Sequence, residues 1–475
     1  MKKILIMIGF TVLLVTQSCK KFTEGDKVSP NSPSEVTESL LLSNCEVALF
    51  ASYGGGLSRM TSMMTQQSSG FTDQALIYEK YGMVEGDLDG EWQTLYTAGL
   101  MNTKKLIDKA GSKNPQYAGI GKIIQVMLIG AATDLWGDVP YSDALRAEEG
   151  TEASRKPFYD KQEAVLNTMQ TVLSEAIADL GKPEGPKVPA TDDFIFGGNK
   201  TKWIKTAWLL KARYALRLTK KNSADAYTKT LQYLTEANTL GLNKNDDCNL
   251  IFGTNANEYN QWYAFTKVDR TGYIRMGAKL VNMMNAMTDP RLPFYCDLAD
   301  SDEDGTADTS AYIGGPAGEA ETISYAPFVS TIGKYYASPD SKLPLITFVE
   351  AKFMEAEAKL ATDKAAAATA FNDAVIEHIT KVTGGAPSLS YVTANASETS
   401  STITLEKIMN QKYIALFTQL EVYSDWRRTG FPTLTKAKDA TIDIPRRMIN
   451  ILEERQYNGN ATIVQNMTDP VWWDK

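Results

Sequence analysis

Residues 120–145 read IGKIIQVMLIGAATDLWGDVPYSDAL, and the join between the two halves of that stretch decides the fold. IGKIIQVMLIGAAT (120–133) is apolar around most of its circumference, the mark of a helix buried on most sides. DLWGDVPYSDAL (134–145) then gathers two aromatics, three carboxylates, a glycine and a proline into twelve residues. That composition would suit a catalytic or sugar-binding loop, but the order of the residues suits a corner better. Gly137 allows a turn, and Pro140 pushes Val139 into extended backbone. Asp134 and Asp138 stand where a side-chain oxygen can accept from free backbone amides. Trp136 and Tyr141 are expected to pin the corner to the scaffold. The stretch reads as the end of a core helix, and a ligand is to be sought elsewhere.

Working outward, helical periodicity dominates. In KQEAVLNTMQTVLSEAIADL (161–180), Val165, Met169, Val172, Leu173, Ala176, Ile177 and Leu180 line one face. TKWIKTAWLLKARYALRLTK (201–220) sets Ile204, Ala207, Trp208, Ala212, Ala215 and Leu216 on another, with Lys and Arg opposite. ADAYTKTLQYLTEANTLGL (224–242) stops at Gly241. PLITFVEAKFMEAEAKLAT (344–362) and AAAATAFNDAVIEHITKV (365–382) read as an antiparallel pair, and LEKIMNQKYIALF (405–417) as a further helix. Period-two strand signals are few, with AYIGG (311–315) and ATIVQNM (461–467) expected to pair locally. The fold class is mainly α. Pairs near 91–133, 160–219 and 346–384 have the scale of tetratricopeptide-type repeats, although the segment from Asn243 to Asp289 interrupts the period. Such loop-rich, aromatic insertions are where binding function tends to sit.

A net charge of −8, with basic residues spread along the chain, excludes nucleic acid as a partner. The single histidine, His378, sits among Phe371, Val375, Ile379 and Val382 at helical spacing, so it is expected to ride the edge of an amphipathic helix and to anchor no triad or zinc site. Residues 1–18 form a secretory signal: Lys2 and Lys3, an apolar run from Ile4 to Val15, then Thr16, Gln17 and Ser18. Cys19 follows a small residue and is expected to be lipid-modified, with 19–35 a polar tether and 36–475 one helical domain. Cys45, Cys248 and Cys296 lie in no CxxC arrangement and read as buried small hydrophobes, with at most one disulfide among them.

Taken together, DLWGDVPYSDAL (134–145), KWIKTAWLLKARYALRL (202–218), DPRLPFY (289–295), PLITFVEAKFMEAEA (344–358), IMNQKYIALF (408–417) with DWRRTGFP (425–432), and IPRRM (444–448) resemble the SusD/RagB family of nutrient-binding outer-membrane lipoproteins, in its SusD-like branch. They occur in the family's order across nearly the whole mature chain. TAWLLKAR departs from the Asn-Ser-Leu that many relatives carry before Lys-x-Arg. The resemblance implies a SusD-like fold, with tetratricopeptide-like helix pairs as scaffold and long loop-rich insertions. It implies a lipid-anchored protein on the cell surface that captures an oligosaccharide or oligopeptide and acts as the lid of a SusC-like TonB-dependent transporter, with no chemistry done on the ligand. A surface-anchored glycan hydrolase, which needs two opposed carboxylates, and a helical-repeat adaptor without a small ligand are the competing readings.

Capture of a sugar or peptide needs exposed aromatic faces flanked by polar groups. IYEKYGMVEGDLDGEW (77–92) and NEYNQWYAFTKVDR (257–270) have that composition, and Tyr78, Tyr81, Trp262 and Tyr263 are the candidates. Arg427 and Arg428 in DWRRTGFP are expected to brace the scaffold through helix-end carbonyls and internal acids rather than to clamp a carboxylate ligand. No cofactor is required. DSDEDGTAD (300–308) matches the first half of a calcium loop through Asp300, Asp302, Asp304 and Asp308, which would hold a structural calcium; position twelve is Ala311 rather than Glu, so the closing ligand would have to come from elsewhere, such as Glu319.

Overall fold

The computed structural model describes residues 36–300, 306–320 and 328–475. The signal segment, Cys19 and the tether to residue 35 lie outside the described residues, as do Asp302 and Asp304.

The main helices are α1 (Glu38–Gly54), α2 (Gly56–Met64), α3 (Met101–Ala110), α4 (Pro115–Trp136), α5 (Gln162–Gly181), α6 (Lys200–Leu216), α7 (Thr219–Thr239), α8 (Phe348–Lys359), α9 (Lys364–Thr383), α10 (Leu405–Ala415) and α11 (Glu421–Thr429). Their starts follow from local chemistry. Thr37, Asn199, Thr347, Asp363 and Thr404 each accept a backbone amide of the first turn, which satisfies a donor that the helix itself leaves free. Pro115 opens α4, where a missing amide costs nothing. Gly384 and Gly430 close α9 and α11 in left-handed backbone.

Consecutive helices pack in a row: α3 on α4, α4 on α5, α5 on α6, α6 on α7, α7 on α8 and α8 on α9. The long insertion between α7 and α8 therefore loops out, and the stack resumes where it left off. Helix α4 is long and apolar enough to cross a membrane, but 89% of its apolar window is buried inside the protein, so its apolarity serves the core. A second apolar cluster, around Phe353, Phe371, Val375, Ile379 and Ile408, fills the space between α8, α9 and α10.

Strands are short and antiparallel: β1 (Ser68–Gly70) with β5 (Ile274–Met276), β2 (Val139–Pro140) with β3 (Tyr159–Asp160), β4 (Cys248–Leu250) with β8 (Leu343–Ile346), and β6 (Cys296–Asp297) with β7 (Thr331–Ile332). At two to four residues each they are too short to show alternation. The two expected strand patches form none. AYIGG contributes one isolated bridge, Gly315 to Gly277. In ATIVQNM the Met467 carbonyl accepts the Arg446 and Arg447 amides instead.

The corner at 134–145 folds as a turn. Gly137 takes φ +87°, a region that favours glycine. Asp138 accepts the Gln162 amide at 3.0 Å, as expected of it. Asp134 differs: its carboxylate meets Arg217 at 3.0 Å, because the end of α4 is buried where a charged partner outcompetes a backbone amide. Asp160 takes the turn role instead, accepting the amides of Tyr141 and Ser142. Trp136 donates from Nε1 to the Ile449 carbonyl at 2.8 Å and fixes the corner to the C-terminal segment.

Arg428 pairs with both oxygens of Glu357 and with Asp425, and Arg427 donates to the carbonyls of Asp134 and Arg446. Both arginines brace the scaffold. His378 is buried rather than on a helix edge, and its Nδ1 lies 2.9 Å from Arg291 Nη1. Cys45, Cys248 and Cys296 are buried free thiols.

Candidate functional site

After α2 the chain forms β1, turns, and enters the short helix Asp73–Glu79, whose flanks line two cavities. Three non-glycine residues around this segment hold left-handed backbone: Gln66 (φ +59°), Asp73 (+46°) and Tyr81 (+62°). Each costs about 1–2 kcal/mol, and such strain gathers where a site must be held in one shape.

The first cavity, of about 120 Å³, is lined by Tyr78, Phe265 and Tyr273 with Arg59, Arg270, Gln74, Asp87 and Glu91 among others. Arg59 rises from α2, and its guanidinium carbon stands 4.1 Å over the centre of the Phe265 ring. Arg270 stands 5.5 Å over Tyr273, whose ring meets Phe265 edge-to-face at 6.4 Å. Phe265 lies in a π-helical turn, Ala264–Asp269, a wide coil that rotates side chains away from their α-helical directions. Glu91 reaches the α2 N-terminus because residue 56 is glycine: a Cβ there would meet Glu91 Oε1 at 2.1 Å.

Electrostatics here are mixed. Burial lowers the Arg59 guanidinium to about 10, against the pull of Glu91 and Asp269, so it stays cationic at neutral pH. Burial raises Glu91, with Arg59 opposing and Asp87 adding to the rise. The Tyr78 hydroxyl is pushed up by burial and by Asp87 beside it, and it accepts from Gln74 Nε2. The cavity thus presents ring faces, a cation and several hydrogen-bonding groups on a scaffold of helix and strand. At about 120 Å³ it is smaller than the ~300 Å³ at which ligand pockets begin, so it has no room for a whole oligomer.

Of the residues singled out in the sequence, Tyr78 lines this cavity, although only 7% of it is exposed. Tyr81 is 3% exposed and its hydroxyl accepts the Ala437 amide at 3.1 Å. Trp262 is fully buried: Asn260 caps a single helical turn that carries the indole inward, where Nε1 meets Ser58 Oγ at 3.1 Å. Neither Tyr81 nor Trp262 offers a face to a ligand, a correction to the expectation that they do. Tyr263 is half-buried, edge-on to Tyr259, and does not line the cavity. Phe265 and Tyr273 come from the same aromatic insertion, and of the two only Phe265 lies in the π-helical turn. Arg59 carried no sequence signal. Asp300 and Asp308 flank the acidic loop, with the Asp308 amide donating to the Ala299 carbonyl at 2.7 Å. Among the described residues no group of three or more His, Cys, Asp or Glu side chains is placed to hold a metal.

Stacked helix pairs carrying a loop-rich insertion with a ring-lined cavity define a helical-repeat scaffold. Residues 30–450 match the SusD-like family described as starch-binding and associating with the outer membrane, and the chain belongs to that family. A SusD/RagB family protein from Bacteroides thetaiotaomicron superposes with a TM-score of 0.76 at 21% identity, over 93% of this chain and 99% of its own. A chitin-binding SusD homologue from Flavobacterium johnsoniae gives 0.76 at 20% identity, over 91% and 98%. A further chitin-binding protein gives 0.74 at 22% identity, over 92% and 100%. At these identities the likeness is one of fold. No curated protein matches the sequence.

Proposed function

We propose that this protein is a non-catalytic cell-surface lipoprotein, anchored in the outer membrane through Cys19. In this reading it captures a glycan and passes it to a SusC-like TonB-dependent transporter, for which it serves as the lid. The observation that carries the reading is the cavity in which Arg59, Phe265 and Tyr273 stand together with Tyr78, Gln74 and Asp87. Sugar rings present apolar C–H faces that stack on aromatic rings, and hydroxyls that pair with amide, carboxylate and guanidinium groups. The family's description as starch-binding, and the chitin-binding proteins that share the fold, favour a glycan over an oligopeptide.

The test is calorimetry of the purified chain with maltohexaose, chitohexaose and a hexapeptide, with product analysis of each mixture. Saturable binding of a hexasaccharide without turnover supports the reading. Cleavage would move the protein to the hydrolase class, with Asp87 and Glu91 as the acids to examine first. Binding of none of the three would leave a helical-repeat adaptor. Transfer to a transporter is tested by co-purification with a SusC-like barrel from native membranes. Cys19→Ala should release the protein from those membranes.

A further inference from the structure

On the opposite flank of the helix Asp73–Glu79 lies a second cavity, of about 290 Å³. It is more than twice the volume of the first and close to the ~300 Å³ at which ligand pockets begin. Gln66, Ser68, Glu79, Lys279, Lys436 and Lys438 are among its lining residues. Its walls come from separate parts of the chain. Lys279 belongs to the helix Ala278–Ala286 that follows β5, Glu79 to the helix after β1, and Lys436 and Lys438 to the segment after α11. The walls are tied by hydrogen bonds: the Lys438 amide donates to the Ala317 carbonyl at 2.9 Å, and the Gly318 amide to Glu79 Oε2 at 2.9 Å.

Two features point to a ligand. Glu79 is 1% exposed, and its Oε1, near Ser69 and Gly70, makes no well-aligned hydrogen bond among the described residues. A buried carboxyl oxygen without a well-aligned partner carries a desolvation cost that a bound hydroxyl would offset. Burial pushes the Glu79 pKa up to about 7, against the amides of Gly318 and Gly70 and the Ser69 hydroxyl. The second feature is the cations. Among the described residues neither Lys279 nor Lys436 has an ion-pair partner, and Lys438 stands 3.9 Å from Glu319. Lys279, Lys436 and Lys438 outnumber Glu79 and Glu319 on this polar cavity, a local reversal of sign in a protein with a net charge of −8.

We infer that this second cavity is a subsite for an anionic saccharide unit, with Lys279 and Lys436 neutralising its carboxylate or sulfate and Gln66, Ser68 and Glu79 pairing with ring hydroxyls. The inference rests on the glycan-capture reading and extends it from neutral to acidic sugars. Tyr78 and Glu79 are neighbours in sequence and face different cavities, so the two subsites share one helix.

The experiment is calorimetry of the full chain with tetragalacturonate, a sulfated carrageenan tetrasaccharide, and neutral maltohexaose and chitohexaose. Tetragalacturonate or the sulfated sugar is expected to bind, at least tenfold more weakly at 500 mM NaCl than at 50 mM. Lys279→Ala/Lys436→Ala is expected to weaken that binding at least tenfold while leaving neutral-sugar binding unchanged. Lys279→Glu/Lys436→Glu should abolish it, with circular dichroism confirming the fold of both variants. Neutral binding without binding of either anion overturns this inference alone. Anion binding that survives both double variants overturns it too. Binding of no saccharide of either kind overturns it together with the glycan reading.

Discussion

The guanidinium of Arg217 stands 3.0 Å from the carboxylate of Asp134, 83 positions earlier in the chain, and both groups are buried. Arg217 also holds Glu421 in a two-pronged bond at 2.9 and 2.6 Å, so one side chain ties together α4, α6 and α11. Arg213, one turn earlier on α6, holds Glu350 of α8 at 2.8 and 2.6 Å. On the other side, Asp425 of α11 meets Lys412 of α10 at 2.7 Å and Arg428 at 2.8 Å, and Arg428 reaches Glu357 of α8.

Removing one member of such a network leaves a charge stranded in the core. Arg217→Ala is expected to cost about 3–5 kcal/mol, because it leaves Asp134 and Glu421 buried and facing one another. Asp134→Asn should cost less, since Arg217 keeps both bonds to Glu421. Urea unfolding at pH 7 measures both. A loss below ~1 kcal/mol for Arg217→Ala would mean that the network is solvated and not structural.

Arg291 sets the state of the only histidine. Its Nη1 can only donate, so Nδ1 of His378 accepts, and the imidazole is neutral with its proton on Nε2. Burial, then Arg291 and Lys381, hold its pKa well below the usual histidine value. The sign follows: the unfolded chain takes up a proton below ~6.5 that the folded chain refuses. This part of the stability is complete above pH 6.5 and is lost as pH falls toward the depressed folded value, at up to ~1.4 kcal/mol per pH unit. His378→Gln, which keeps an acceptor for Arg291, should flatten the slope between pH 6.5 and 5 in denaturant unfolding. An unchanged slope would mean that His378 is charged in the fold.

The same network explains what was legible in the sequence. The conspicuous stretches 134–145, 202–218, 344–358, 408–417 and 425–432 contribute Asp134, Arg213, Arg217, Glu350, Glu357, Lys412, Asp425 and Arg428, with Glu421 between the last two stretches. Charges that must meet in a core are fixed in type and position, so they stand out as motifs, and the helices carrying them show plain periodicity. The cavity-lining insertion has no such constraint. NEYNQWYAFTKVDR holds six aromatic or acidic residues within a short stretch, and the choice between Trp262 and Phe265 turns on an Asn260 cap and a π-helical turn, neither of which leaves a periodic trace. Arg59 is a lone cation in GGGLSRM, and its partner Phe265 lies about two hundred residues away.

For the first cavity, Phe265→Ala should weaken hexasaccharide binding about tenfold, or ~1.4 kcal/mol, by removing both a stacking face and the seat of Arg59. Tyr273→Ala should act in the same direction, while Trp262→Phe, fully buried and outside the cavity, should leave affinity unchanged and lower the melting temperature. Calorimetry on the three variants separates the cases. Equal affinity for Phe265→Ala and the unmodified protein would place the ligand elsewhere.

Glu46 offers a test at the alkaline end. It is fully buried, its Oε2 accepts the Phe194 amide at 2.7 Å, and it lies beside Asp193. The Asp193 carboxylate already accepts the amides of Ile195, Phe196 and Gly198 and the Trp203 indole, so it is the better stabilised anion of the two. Burial, and then Asp193, push Glu46 up to about 10. The folded chain therefore keeps a proton that the unfolded chain releases above ~4.3, and the associated stability, complete below that pH, is lost as pH rises toward 10. Glu46→Gln has the shape of the protonated acid and nothing to ionise. It should nearly match the unmodified protein at pH 4.5 and exceed it at pH 8, by at least ~2 °C in melting temperature. If the variant is instead less stable by the same margin at both pH values, Glu46 is ionised in the fold.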